Sequence, residues 1–403
     1  MFRLVTLLTL CFLPLLSSAQ TWSPQASGTA SVLADVHFIS PTTGFAVADA
    51  GLLLSTNDAG ATWTSQTIGG GALDFEGIDF SPSGSNGIIA TDGGGVYRST
   101  NSGASWTLVS TGAGDLRHAC WVDETTVWVA GRNGDSAIST DAGATWGYHG
   151  TSSADRTQSI AAVSVSEAWI ANDSGEIRHT TDGGVNWTTQ ASGTGSDLKD
   201  IQMLDASTGY IAGNGNVVLK TTNGGSTWTN VATSGVSGNG LFFVDANVGW
   251  VVADAGQIWF TANGGASWVL QASGTAQSFN RVHFPVTAAG WAVGDAGTIV
   301  HFSSPPTANE PATDLPDGYR LSAVYPNPFN PQARFTLEVA EAQAVRISVF
   351  DGLGREVRAL HDGSLSAGST EFVIDGAGLP SGMYVVRAAG ETFVTSRTMT
   401  LLR

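Results

Sequence analysis

The stretch Thr56-Asn57-Asp58-Ala59-Gly60-Ala61-Thr62-Trp63 returns almost unchanged as Ser99-Thr100-Asn101-Ser102-Gly103-Ala104-Ser105-Trp106 and as Ser139-Thr140-Asp141-Ala142-Gly143-Ala144-Thr145-Trp146. Three further copies end at Trp187, Trp228 and Trp268. Successive tryptophans stand 43, 40, 41, 41 and 40 residues apart, a period that suits four short strands with their turns. Trp22 falls in phase, 41 residues before Trp63.

Each period holds a second signature, a strand leading into a glycine-bearing turn. Examples are Gly44-Phe45-Ala46-Val47-Ala48-Asp49-Ala50-Gly51 and Gly290-Trp291-Ala292-Val293-Gly294-Asp295-Ala296-Gly297. There are seven such hairpins but six complete tryptophan turns. The seventh unit stops at His301-Phe302-Ser303, where its last strand should begin, and Trp22-Ser23-Pro24-Gln25 has the character of that missing strand. The repeat therefore predicts an all-β fold, a seven-bladed β-propeller over residues 20–304 closed by pairing of its two ends, which removes exposed sheet edges.

The flanks carry different signals. Met1-Phe2-Arg3, an apolar run over residues 4–16 and Ser17-Ser18-Ala19 have the layout of a secretory signal peptide, 1–19, cut after Ala19. The run is too short to span a bilayer, which takes about 20 apolar residues. Cys11 leaves with it, so Cys120 remains without a disulfide partner and reads as a small buried hydrophobe. With Arg3 removed, 16 basic residues face 34 acidic ones, a net charge of −18. That excess argues against nucleic acid or anionic lipid as partners.

After Ser303, Pro305, Pro306, Pro311 and Pro316 mark an extended linker, 305–318. Beyond it come Tyr325-Pro326-Asn327-Pro328-Phe329-Asn330-Pro331, alternating strands at 333–339 and 344–350, and a hairpin around Gly352 and Gly354. Gly382 and Tyr384 lead into a further strand, and Arg397 and Arg403 flank the last.

The Ser/Thr-x-Asp/Asn-x-Gly-x-Thr/Ser-Trp turns resemble Asp-boxes (BNR repeats), and the wider unit resembles the propeller of the photosystem II assembly and stability factors. In such turns the acid or amide caps its own loop while the tryptophan packs between blades. The resemblance thus implies structural roles for Asp58, Asp141 and Asp182 and for Trp63, Trp106, Trp146, Trp187, Trp228 and Trp268. Calcium is not expected there, because Asn101, Asn223 and Asn263 stand at the key position of three boxes. Residues 319–403 resemble the type A C-terminal sorting domain of type IX secretion cargo, a small immunoglobulin-like β-sandwich. The resemblance rests on Tyr325, Pro326, Asn327, Pro328, Gly352, Gly354, Gly382, Tyr384, Arg397 and Arg403. It implies two partners, an outer-membrane translocon and a sortase-like peptidase, and a final place at the cell surface or outside the cell.

Catalysis finds little support. The six arginines of the propeller are spread over several blades, the recurrent acids occupy turns, and no metalloprotease, phosphate-loop or Gly-x-Ser-x-Gly motif is present. No cofactor or metal site is expected. A carbohydrate-active enzyme with an unrecognised site is the alternative to a binding protein. For a protein or glycan ligand, the variable polar starts of the innermost strands suggest a ring around one channel mouth: Asp35, Glu76, Arg117 with His118, Gln158 with Ser159, Lys199 with Asp200, Asn239, and Asn280 with Arg281. Hairpin residues Arg132, Asn133, Asn214 and Asp295 would join them, with the boxes on the opposite face.

Overall fold

The computed structural model describes residues 21–151, 153, 156–233, 235–287, 289–303, 319–322, 324–327, 329–351, 356–380, 382–390 and 394–401. The signal-peptide and linker assignments, and Pro328, Gly352, Gly354 and Arg403, lie outside them. Internal contacts separate a unit spanning Gln20–Ser304 from one containing Pro305–Arg403.

Among the described residues the first unit holds seven four-stranded antiparallel sheets. Blade 1 comprises Leu33–Phe38, Gly44–Ala48, Leu52–Thr56 and Thr64–Thr67, and blades 2 to 6 repeat that meander with innermost strands Phe75–Phe80, Leu116–Trp121, Thr157–Ala162, Leu198–Met203 and Gly240–Phe243. Blade 7 takes three strands, Phe279–Val286, Ala289–Gly294 and Ile299–Ser303, from the end of the unit and its outermost, Thr21–Gln25, from the beginning. Trp22 pairs with Phe302 and Gln25 with Ile299. The closure expected from the phase of Trp22 is therefore how the ring is built. Each innermost strand also touches the next around the circle, Leu33–Phe38 meeting Phe279–Val286.

Among its described residues the unit has seven apolar clusters, one at each junction between blades. Trp22 packs with Trp250, Phe284 and Phe302 between blades 6 and 7. Trp63 lies against the blade 7 and 1 cluster, Trp106 against 1 and 2, Trp146 against 2 and 3, Trp187 against 3 and 4, and Trp228 and Trp268 within 4 and 5 and within 5 and 6. The box tryptophans are thus wedges, though unequal ones. Trp228 and Trp268 are buried, while Trp187 is half-buried and its indole N–H has no partner among the described residues. A second tier of rings, invisible in the box pattern, stacks across the same junctions. Phe38 lies on Trp291 at 3.5 Å, Phe243 on Tyr210 at 3.6 Å, and Phe284 on Trp250 at 3.8 Å.

The boxes cap themselves. Asp58 accepts from Thr56 Oγ1, from the Thr62 N–H and from Thr62 Oγ1 at 2.7–2.9 Å. In the third box the hydroxyl of Thr145 heads the set of hydrogen bonds that hold the Asp141 carboxyl down at about 2. Asp182 is likewise lowered, by the Asn186 backbone first. At the hairpins a glycine is required. Gly256 has φ +71°, and a Cβ there would stand 2.0 Å from the Thr275 carbonyl oxygen.

The second unit is a two-sheet sandwich. One sheet orders Arg320–Leu321, Gln332–Val339 and Gly368–Asp375; the other orders Glu356–Leu365, Gln343–Asp351, Gly382–Gly390 and Val394–Leu401. Phe329, Phe335, Leu337, Ile347, Val349, Ile374, Val386 and Leu401 fill the space between them.

Two outcomes check this architecture. Trp228→Ala should lower stability by about 3–5 kcal/mol, the range for emptying a buried aromatic site, and denaturant unfolding of the propeller reads it. Removing residues 20–30 strips blade 7 of its outer strand and Trp22, so the thermal midpoint should fall markedly; an unchanged midpoint would mean that the seam carries no stability.

Candidate functional site: the channel and its mouth

In six blades the innermost strand carries a β-bulge between its first and third residues, as at Leu33/Asp35, Phe75/Gly77 and Leu198/Asp200. The residue skipped in the register is Ala34, Glu76, Arg117, Gln158, Lys199 or Asn280, and all six line one cavity of about 360 Å³ with Val32, Asp49, Arg156, Asn239 and Arg281. The mouth expected from the sequence is thus assembled by bulges, which re-aim one side chain per blade.

Asp35, His118 and Asp200 are a correction to that ring. They follow the bulge, and they line a separate, deeper stretch of channel with His37, Asp79, Cys120, Gln202 and His283. There they hold the free edge of the neighbouring blade's innermost strand. Asp35, buried, accepts the Ile78 N–H at 2.9 Å and the Val36 N–H at 2.8 Å. Asp79 accepts the Trp121 N–H at 2.7 Å, Asp200 the Leu241 N–H at 3.0 Å, and Gln202 the Phe243 N–H at 2.7 Å. Ser159 donates to Asp200, and His118 Nδ1 lies 3.2 Å from the Ile160 carbonyl. At the closing junction His283 Nδ1 accepts the Phe38 N–H at 3.2 Å, with the His37 ring 4.3 Å away and His37 Nδ1 3.0 Å from Asp79. His37 and His283 occupy equivalent repeat positions, and closure makes them neighbours. Desolvation pushes the Cys120 thiol up to about 12, which leaves no accessible thiolate.

Charges at the mouth are mixed. Arg117 lies 3.4 Å from Glu76, and Arg132 lies 2.9 Å from Asp115 and 3.8 Å from Glu76. Lys199 sits between Asp173 and Asp197 at 3.6 and 3.3 Å. Burial pushes the Glu76 carboxyl above its usual range despite both arginines, and burial also lowers Arg117. Asn280 Nδ2 donates to the Leu33 carbonyl, and Asn239 Nδ2 to Asp254 and to the Phe279 carbonyl. Two cations remain without a carboxylate among the described residues. Arg281 donates to the carbonyls of Asn239 and Asn280 and keeps a buried, unpartnered Nε, while Arg156 is exposed.

In the sandwich, Tyr325 is largely exposed, Pro326 and Asn327 follow it at the surface, and Gly382 opens its strand. Tyr384, buried, donates from its hydroxyl to the Pro380 carbonyl at 2.8 Å. Arg397 is half-buried and donates to the Leu321 carbonyl at 3.0 Å.

The architecture defines an all-β propeller followed by a two-sheet β-sandwich. Residues 15–114 and 152–237 match the family model described as photosynthesis system II assembly factor YCF48, and residues 323–401 match the secretion system C-terminal sorting domain. No curated protein matches the chain. Among solved structures, YCF48 bound to D1 peptide is 17% identical with a TM-score of 0.62, covering 72% of this chain and 98% of its own. YCF48 from Cyanidioschyzon merolae is 18% identical with a TM-score of 0.57, over 70% and 98%. The WD40 propeller domain of Doa1, at 10% identity, gives 0.59 over 72% and 98%. At these identities the likeness is one of fold.

The channel yields a pH prediction. Burial, and then the neighbouring His37, hold His283 well below the usual imidazole value of 6.5. The unfolded chain takes up that proton near pH 6.5 and the folded one resists it, so this contribution to stability is complete above pH 6.5 and is lost progressively as the pH falls. His283→Gln keeps an acceptor for the Phe38 N–H without the titration. Its denaturation midpoint, followed from pH 8 to 5, should fall less steeply than that of the natural protein.

Proposed function

We propose that this is an exported, non-catalytic binding propeller, delivered by type IX secretion and displayed at or released from the cell surface, with a protein or glycan ligand held at the channel mouth. The signal-like segment 1–19 serves passage through the inner membrane, and 319–403 serves the outer one. The match of 323–401 to a secretion sorting domain supports the route. The observation that carries the binding role is the cup itself. All seven blades contribute to it, and Arg156 and Arg281 keep donors that no carboxylate of the described residues occupies. Such a cup suits acceptor-rich surfaces, the hydroxyls and carbonyls of a glycan or a peptide loop. Glu76 is committed to Arg117 and Arg132, which favours binding over acid–base chemistry.

Two experiments test this. A protein ending after Ser304 should fold but stay in the periplasm, whereas the full chain should give a surface or culture fragment that lacks the tail and is cut within or near 305–318; normal delivery of the short form would refute the route. The secreted form, screened on glycan and peptide arrays and against chromogenic glycosides, should bind without turnover. Replacing Arg156 and Arg281 with Ala should weaken that binding about tenfold or more, the scale for losing charge-assisted hydrogen bonds. Sustained hydrolysis would overturn the non-catalytic role.

A further inference from the structure

Tyr325, Asn327 and Phe329 strap the two sheets of the sandwich together. Tyr325 exchanges both backbone hydrogen bonds with Arg334 at 2.8 Å, which ties it to the sheet of Gln332–Val339. Four residues on, the Phe329 N–H donates to the Thr400 carbonyl at 2.8 Å, and Phe329 forms a parallel bridge to Leu401 in the other sheet. Between them Asn327 reaches the same strand. Its Oδ1 accepts the Thr400 N–H at 2.8 Å, and its Nδ2 lies 3.4 Å from the Thr398 carbonyl. Both backbone polar groups of Thr400 are thereby taken by the strap. Phe329, buried beside Leu401 in the core, anchors its far end.

Val394–Leu401 pairs with Gly382–Gly390 on one side. Its other edge would offer unpaired backbone groups if the strap were absent. Arg397, one of the two arginines expected from the sequence to flank the last strand, is half-buried with Nη2 on the Leu321 carbonyl. The side chain that a linear signal would display is spent on fastening the strand.

We infer that Asn327 is a positioning residue of the export signal: it holds Val394–Leu401 in its sheet, and the secretion machinery receives that strand as an ordered sheet edge instead of a linear tail. This rests on the export route proposed above. The side-chain amide suits the task because its oxygen satisfies an N–H while its separate nitrogen faces a carbonyl two residues away on the same strand, which an aliphatic group cannot do.

The test uses the full chain in a host carrying the type IX apparatus, with two readouts: trypsin cleavage after Arg397, followed by mass, and the amount of propeller in the surface and culture fractions. Asn327→Ala should speed the cleavage and reduce delivery, each several-fold. Asn327→Asp, which keeps the acceptor for Thr400, should retain most of both. Ile374→Ala thins the core of the other sheet without touching the strap and should cost less delivery than Asn327→Ala at comparable loss of sandwich stability. Faster cleavage with normal delivery would overturn the inference, as would unchanged cleavage in Asn327→Ala or equal delivery losses in the two alanine variants. Normal delivery of the chain ending after Ser304 would instead defeat the export route itself.

Discussion

A four-stranded sheet has two open edges, and every open edge is a row of backbone groups that must find partners. This requirement organises the propeller. The seventh sheet meets it by borrowing Thr21–Gln25, so that the ring closes through backbone pairing between its first and last strands. The inner edges are met by side chains instead: Asp35, Asp79, Asp200, Gln202 and His283 each accept an N–H from the following blade's innermost strand. The polar groups of the channel wall are consequently there for a structural reason.

Much of the fold was legible because it is periodic. A tryptophan every 40 or so residues fixed the blade, and the phase of Trp22 against Trp63 located the closing strand. The sandwich was legible through the family resemblance that its ordered turn residues carry. The division of labour between Glu76, Arg117 and Lys199 on one side and Asp35, His118 and Asp200 on the other was not. It is set by a β-bulge, which shifts the alternation of side chains by one position and leaves no residue-type signature, since the skipped residue is Ala in one blade and Lys in another. The pairing of His37 with His283 was equally hidden, because 246 positions separate two residues that ring closure brings together.

The boxes and the stacked rings solve different parts of one packing problem. The box fixes a turn through hydrogen bonds at the exposed end of a blade, and its tryptophan reaches the junction with the preceding blade. Deeper in the same junctions the Phe38–Trp291, Tyr210–Phe243 and Trp250–Phe284 stacks supply flat, well-buried area. Where the stack is missing the burden moves, as between blades 3 and 4, where Trp128 meets Trp187 edge-on at 6.3 Å. The seven junctions are equivalent in topology and unequal in composition.

Closure also sets an order of events. Ser23 lies beside the His301 carbonyl, 278 positions away in the chain, so the strand at the front of the propeller has no partner until Ile299–Ser303 has been synthesised and has reached the same side of the membrane. Six blades can form as local meanders as the chain appears, each from neighbouring residues. The seventh waits for both ends. The entropy of joining them grows only slowly with the length between, but the join itself is the most non-local step in the unit, and non-local pairings are the slow ones. Until it happens the nascent ring is an arc with two live edges, and the time spent as an arc is the interval in which this chain is open to pairing with strands other than its own.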